Sequence, residues 1–142
     1  ARYDIEIEEY VHILQIEGRT LGDIARNHVI PTAVKYQNIL IDNVKGLKDI
    51  FGDDFKKYAS EQLVLIADIS QRIEAINSGV TTMTNERKKA NTVKNTTKKA
   101  SIYCNQVKPL FDDIRYHCDK LELLIDDELW PLAKYRELLF TK

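Results

Sequence analysis

Three runs of apolar residues at spacings of three and four leave this chain one economical way to bury its side chains, as long amphipathic helices. The first run reads Ile7, Tyr10, Val11, Leu14, Leu21, Ile24, Ala25 and Val29, and continues through Ala33, Tyr36, Leu40, Val44, Leu47 and Phe51. The second, Ile66, Ile69, Ile73, Ile76, Val80 and Met83, is a heptad of the kind that packs helix on helix, with Ile73 and Ile76 expected to be fully buried at its centre. The third is Ala100, Cys104, Val107, Phe111, Ile114, Cys118, Leu121 and Ile125. No segment alternates with the strand period of two, and only 5 Gly and 3 Pro punctuate 142 residues. The pattern predicts an all-α fold, an antiparallel bundle of three long, partly kinked helices plus a short C-terminal helix, with residues 1–142 as one domain.

Local signals place the boundaries. Pro31 removes a backbone donor and disfavours helical angles at Ile30, yet the apolar stripe keeps its phase across it. One helix kinked near residue 30 is expected, with a full break as the alternative. Gly52 suits a C-terminal cap, and Asp53 or Asp54 the next N-cap. The second helix should end within the polar, mostly basic stretch 84–99, and Asn95, Thr96 or Thr97 should cap the third. Pro109 lies off the apolar stripe, so a kink facing solvent is expected there. Asp126-Asp127 offers a further cap, and Trp130-Pro131 turns the chain into a last helix, Leu132 to Phe140. Gly18 lies on or beside the first stripe, where a missing side chain lets another helix approach.

Charge and cysteine content narrow the function classes. Lys plus Arg is 21 and Asp plus Glu 22, a net charge of −1, which disfavours a dedicated nucleic-acid binder. No apolar run approaches the roughly 18–20 residues of a membrane span. Cys104 and Cys118 lie about 21 Å apart along one continuous helix, too far to pair, and both fall on the apolar stripe. Buried, reduced thiols in a cytoplasmic protein follow. The opening Ala1-Arg2-Tyr3-Asp4 lacks Met and a signal peptide and runs almost directly into helix. The chain is therefore expected to begin part-way through a longer gene product.

Few residues suggest chemistry. Glu9-x-x-His12 has the spacing of di-iron bundle ligands, but neither His28 nor His117 completes a second copy, so a surface pair is the better reading. Arg19, Asp23 and Arg26 share a helix face and could grip a ligand or a partner's carboxylate; an ordinary ion-pair ladder is the blander reading. The basic stretch Arg87 to Lys99 could meet phosphate or an acidic surface, or simply be a solvated connection. His117 and Cys118 are helix neighbours that point apart, not a catalytic pair. With no phosphate loop, nucleophile motif or zinc spacing, no catalytic, cofactor-binding or metal-ligating residue is assigned. Tyr103, Tyr116, Trp130 and Tyr135 are bundle fillers or interface residues, and Trp130, Tyr135 and Phe140 are the candidate contacts with a partner.

Two stretches carry a family likeness. One is Leu21-Gly22-Asp23-Ile24-Ala25-Arg26-Asn27-His28-Val29-Ile30-Pro31-Thr32-Ala33; the other runs from Ile114-Arg115-Tyr116-His117-Cys118 through Asp126-Asp127-Glu128-Leu129-Trp130-Pro131-Leu132 to Phe140. Both resemble the C-terminal region of bacterial type III glutamine synthetases. The resemblance implies that the chain is a C-terminal fragment of a larger enzyme, a cytoplasmic, ring-forming ligase that joins ammonia to glutamate using ATP and divalent metal. In that family the catalytic sites lie on an upstream domain, so no catalytic residue carries over. It also implies a helical domain whose partners are the catalytic domain of its own chain and neighbouring subunits, serving assembly or framing the active site. The alternative is a free-standing helical adaptor or scaffold that binds another protein through its aromatic C-terminal third.

Overall fold

A computed structural model describes residues 2–130 of the chain. All regular structure among them is helical. Helix α1 spans Arg2–Ile24 and α2 spans Ile30–Phe51, joined without interruption by a π-helical turn, Ala25–Val29. A short 3-10 turn, Gly52–Phe55, leads into α3, Lys56–Asn91. After a four-residue connection come α4, Thr96–Ile102, a second π turn, Tyr103–Val107, and α5, Lys108–Leu124. The expected helix at 132–140 lies outside the described residues.

The two prolines among the described residues are absorbed in the same way. Each stands two residues beyond a five-residue π turn, Pro31 after Ala25–Val29 and Pro109 after Tyr103–Val107. In each turn an N–H reaches back five residues, Ile30 to the Ala25 carbonyl and Lys108 to the Tyr103 carbonyl. The widened turn accommodates the ring that would otherwise strike the carbonyl four residues back. The expected departure of Ile30 from helical angles is therefore corrected: Ile30 stays helical at φ −61, ψ −48, and the chain neither breaks nor leaves the helix at Pro31.

The π turns also reset which residues face inward. Burial falls on Ala25, Val29 and Ala33 around the first, and on Tyr103, Val107 and Phe111 around the second. Successive steps of four replace the usual three-and-four mixture, because each wide turn holds an extra residue. This corrects the expectation for Cys104, which is exposed, while its neighbour Tyr103 is fully buried. The Tyr103 hydroxyl donates to Asn91 Oδ1 at 2.6 Å, and Gln15 donates to the same oxygen at 2.8 Å. Asn91 thus ties together the end of α3, the π turn and α1, and the buried phenol has its hydrogen bond.

Paired positions define the direction of packing. Gly22 lies beside Met83 and Val80, Arg26 bonds to Asn77 and Thr81, Gln37 to Ser70, and Gln62 to Asn43. Numbers rise on one helix as they fall on the other, so α1–α2 and α3 are antiparallel. Likewise Tyr103 meets Asn91, Ile114 meets Gly79 and His117 meets Arg72, so α5 runs antiparallel to the C-terminal half of α3. The core lies where all three rods overlap: Val11, Leu14, Ile69, Ile76, Val80, Met83, Phe111, Ile114 and Leu121. Between residues 34 and 68 only Ala59 is buried. There α2 and α3 continue as a two-helix hairpin, with Phe51 stacked on Tyr58 at 4.1 Å near its turn. The all-helical, antiparallel reading holds; what differs from the expected three-helix bundle is that the joined α1–α2 rod and α3 extend together as a two-helix hairpin beyond the region where α5 packs.

Boundary chemistry divides similarly. Gly52 ends α2 at a positive φ of 61, a conformation that favours glycine. No side chain caps α3, so the N-cap expected at Asp53 or Asp54 is corrected: these residues form the 3-10 turn instead. Asn95 does cap α4, accepting from the Lys98 N–H at 2.9 Å. After α5, the Asp126 carboxylate accepts from the Glu128 N–H and its carbonyl from the Leu129 N–H, forming a tight turn.

Candidate binding groove and exposed faces

Gly18 and Gly22, one turn apart on α1, leave a trough against α3. A Cβ placed on Gly18 would lie 3.0 Å from Arg87 Cδ and 3.2 Å from the Phe111 ring, so the absent side chain admits both. The resulting groove of about 280 Å³ is walled by Arg19, Asp23 and Arg26 from the first rod and by Met83 and Arg87 from α3. The structure therefore brings the Arg19, Asp23, Arg26 trio together, but not as an ion-pair ladder. Asp23 accepts from Asn27 at 2.6 Å. Arg26 reaches across to donate to the Asn77 carbonyl at 3.1 Å and to Thr81 Oγ1 at 2.5 Å. Arg87 Nε is buried with no hydrogen-bond partner among the described residues. Sequence reasoning placed Arg87 only in a basic stretch; its 61-residue separation from Arg26 hides their meeting.

A second hollow, about 320 Å³, lies between α1 and the α3–α4 connection, lined by Glu8, His12, Gln15, Lys94, Thr96 and Lys99. His12 is there, but Glu9 is not among its walls. Among the described residues no three His, Cys, Asp or Glu side chains are grouped to hold a metal ion. His117 accepts from Arg72 through Nδ1 at 3.1 Å, with the Arg72 guanidinium and the Lys120 ammonium each 5.4 Å from the Tyr116 ring.

The two thiols differ in environment. The Cys104 thiol beside Tyr10 is the first cause that raises the phenol's pKa, with burial second. Cys118, partly buried, is pushed up to about 11 by burial and then by the nearby Asp119 carboxylate. At pH 8 this leaves Cys118 roughly a hundredfold less thiolate than an ordinary cysteine. A thiol reagent at that pH should therefore label Cys104 quickly and Cys118 slowly; peptide mapping that finds the two modified together would contradict this assignment.

Of the candidate contact residues, Trp130 is only 9% exposed and belongs to the core cluster, so its large apolar surface is already covered within the chain. Tyr135 and Phe140 lie outside the described residues. The exposed apolar surface is elsewhere. Ile5, Ile13 and Ile16 are 58%, 60% and 49% exposed, on the side of α1 opposite Val11, Leu14 and Gly18. Ile50, Tyr58 and Val64 are exposed on the hairpin. Sequence reasoning missed the α1 face because it followed one stripe per helix. No helix among the described residues is long and apolar enough to cross a membrane.

Comparison with known proteins adds context. Residues 1–48 match the family model for the glutamine synthetase C-terminal domain. The whole chain is 47% identical to a stretch of a glutamine synthetase from Bacteroides fragilis. It is 24% identical, again over its whole length, to a type-3 glutamine synthetase from Dictyostelium discoideum, and 23% identical over 99% of its length to a glutamine synthetase from Butyrivibrio fibrisolvens. In each case the chain spans 20% of the relative's length.

Proposed function

We propose that this chain, similar over its whole length to stretches of glutamine synthetases and matching the family model of their C-terminal domain over residues 1–48, is a non-catalytic helical module of a type III enzyme of this kind. In this reading the parent protein joins ammonia to glutamate with ATP and divalent metal in the cytoplasm, on parts of the polypeptide beyond this fifth. The module docks against the rest of the synthetase, in its own or a neighbouring subunit, and so serves assembly or frames the active site. The observation that carries the reading is the back face of α1. Ile5, Ile13 and Ile16 form an apolar stripe turned away from the module's own core. A polypeptide five times as long offers a surface to cover it. Burying such side chains is favourable by roughly 1.5–3 kcal/mol each, which suits a permanent intramolecular or intersubunit contact.

The test is an Ile13→Asp, Ile16→Asp double substitution in the full-length protein. Both positions are exposed within the module, so its helical content should be unchanged. Subunit association should weaken at least about tenfold, seen as smaller species by light scattering, with glutamine formation falling in parallel. A variant that assembles and works like the parent would remove this face from the interface. Glutamine formation by the purified 142-residue chain alone would overturn the non-catalytic reading.

A further inference from the structure

The groove above Gly18 and Gly22 holds more positive charge than its own residues use. Three guanidiniums, those of Arg19, Arg26 and Arg87, face one carboxylate, Asp23. Asp23 is held by Asn27, and Arg26 is held by Asn77 and Thr81, which fixes that wall. Arg19 has no partner among the described residues. Arg87 lays its stem over Gly18 and keeps Nε buried without an acceptor. Because Nε is closed off by packing, it is the terminal Nη groups of Arg87 that can offer an oxyanion in the groove two charge-assisted hydrogen bonds side by side. Guanidinium is the side chain whose flat fork suits carboxylate and phosphate oxygens in that way. At about 280 Å³ the groove is at the lower limit of ligand pockets, which suits a small ligand.

We propose that this groove is a binding site for a small oxyanion, a phosphate or a short dicarboxylate, clasped between Arg19 and Arg87. The ligand bridges α1 and α3 where the core rods cross, so its occupancy tightens the packing of those helices. The site is separate from the exposed stripe on the back of α1, and its test does not depend on that docking surface.

Hydrogen exchange read by mass spectrometry on the full-length protein localises the effect. Inorganic phosphate and glutarate are titrated separately at matched ionic strength, with chloride as the control. Exchange should slow in peptides covering residues 18–27 and 80–87, and the anion acting at lower concentration names the ligand class. In R19Q and in R87Q the half-saturating concentration should rise about tenfold or more, the effect of losing one charged hydrogen bond. R87K, which keeps the charge but loses the fork, should also weaken binding. Because Arg19 is exposed, R19Q reports on the site even if R87Q disturbs packing. No protection beyond that given by chloride, or unchanged titrations in R19Q, would overturn the proposal.

Discussion

Replacing Phe111 with Ala should lower the stability of the chain by about 3–5 kcal/mol, the usual loss when a buried aromatic is emptied from a core. Phe111 is 1% exposed and sits where α5 meets α1, its ring edge against the bare backbone of Gly18. Glycine has no side chain that can swing into the space, so the cavity should persist. The ring also lies 5.9 Å from the Arg115 guanidinium, which forms an ion pair with Glu17 on α1. That surface pair contributes little by itself, so the loss should be dominated by the cavity. Denaturant unfolding followed by helical circular dichroism measures it. A loss under about 1 kcal/mol would mean that α5 does not pack on α1 at this point.

Ile76→Ala should cost about 2–5 kcal/mol, and Ile73→Ala distinctly less. By sequence the two are equivalent members of one heptad. In the structure Ile76 is fully buried, with Ile69, Val80 and Met83, whereas Ile73 is only partly buried and packs against the edge of that cluster. This corrects the expectation that both are fully buried. A straight helix of 3.6 residues per turn drifts relative to a strict heptad, and α3 is 36 residues long, so one member of the pattern turns toward the edge. Parallel unfolding curves decide the matter. Equal losses at the two positions would show that α3 is rotated from the orientation described.

Helix is the part of the architecture most legible from residues. The three-and-four spacing, the near absence of punctuation, the Gly52 stop and the Asn95 cap are local signals, and each operates within one or two turns. The binding groove was half legible. Arg19, Asp23 and Arg26 share a face by spacing alone, and Gly18 announces a close approach. Arg87 joins them only because antiparallel packing brings the far end of α3 back over α1. No sequence window contains both sides.

What this sequence determined by itself is its helical character and the family likeness at both ends, since periodicity and residue identity are properties of the chain before it folds. Tertiary structure decided the rest. Whether Pro31 and Pro109 would break, kink or widen a helix depended on what packs against the turn, and the wide solution keeps Ala25, Val29, Tyr103 and Val107 in the core. That single extra residue per turn carried Tyr103 inward and Cys104 outward. Trp130, amphipathic and beside a proline, read equally as anchor or as filler, and packing placed it among the core side chains. Burial is a relation between surfaces distant in sequence, so a pattern confined to one helix ranks its faces without determining what finally covers them.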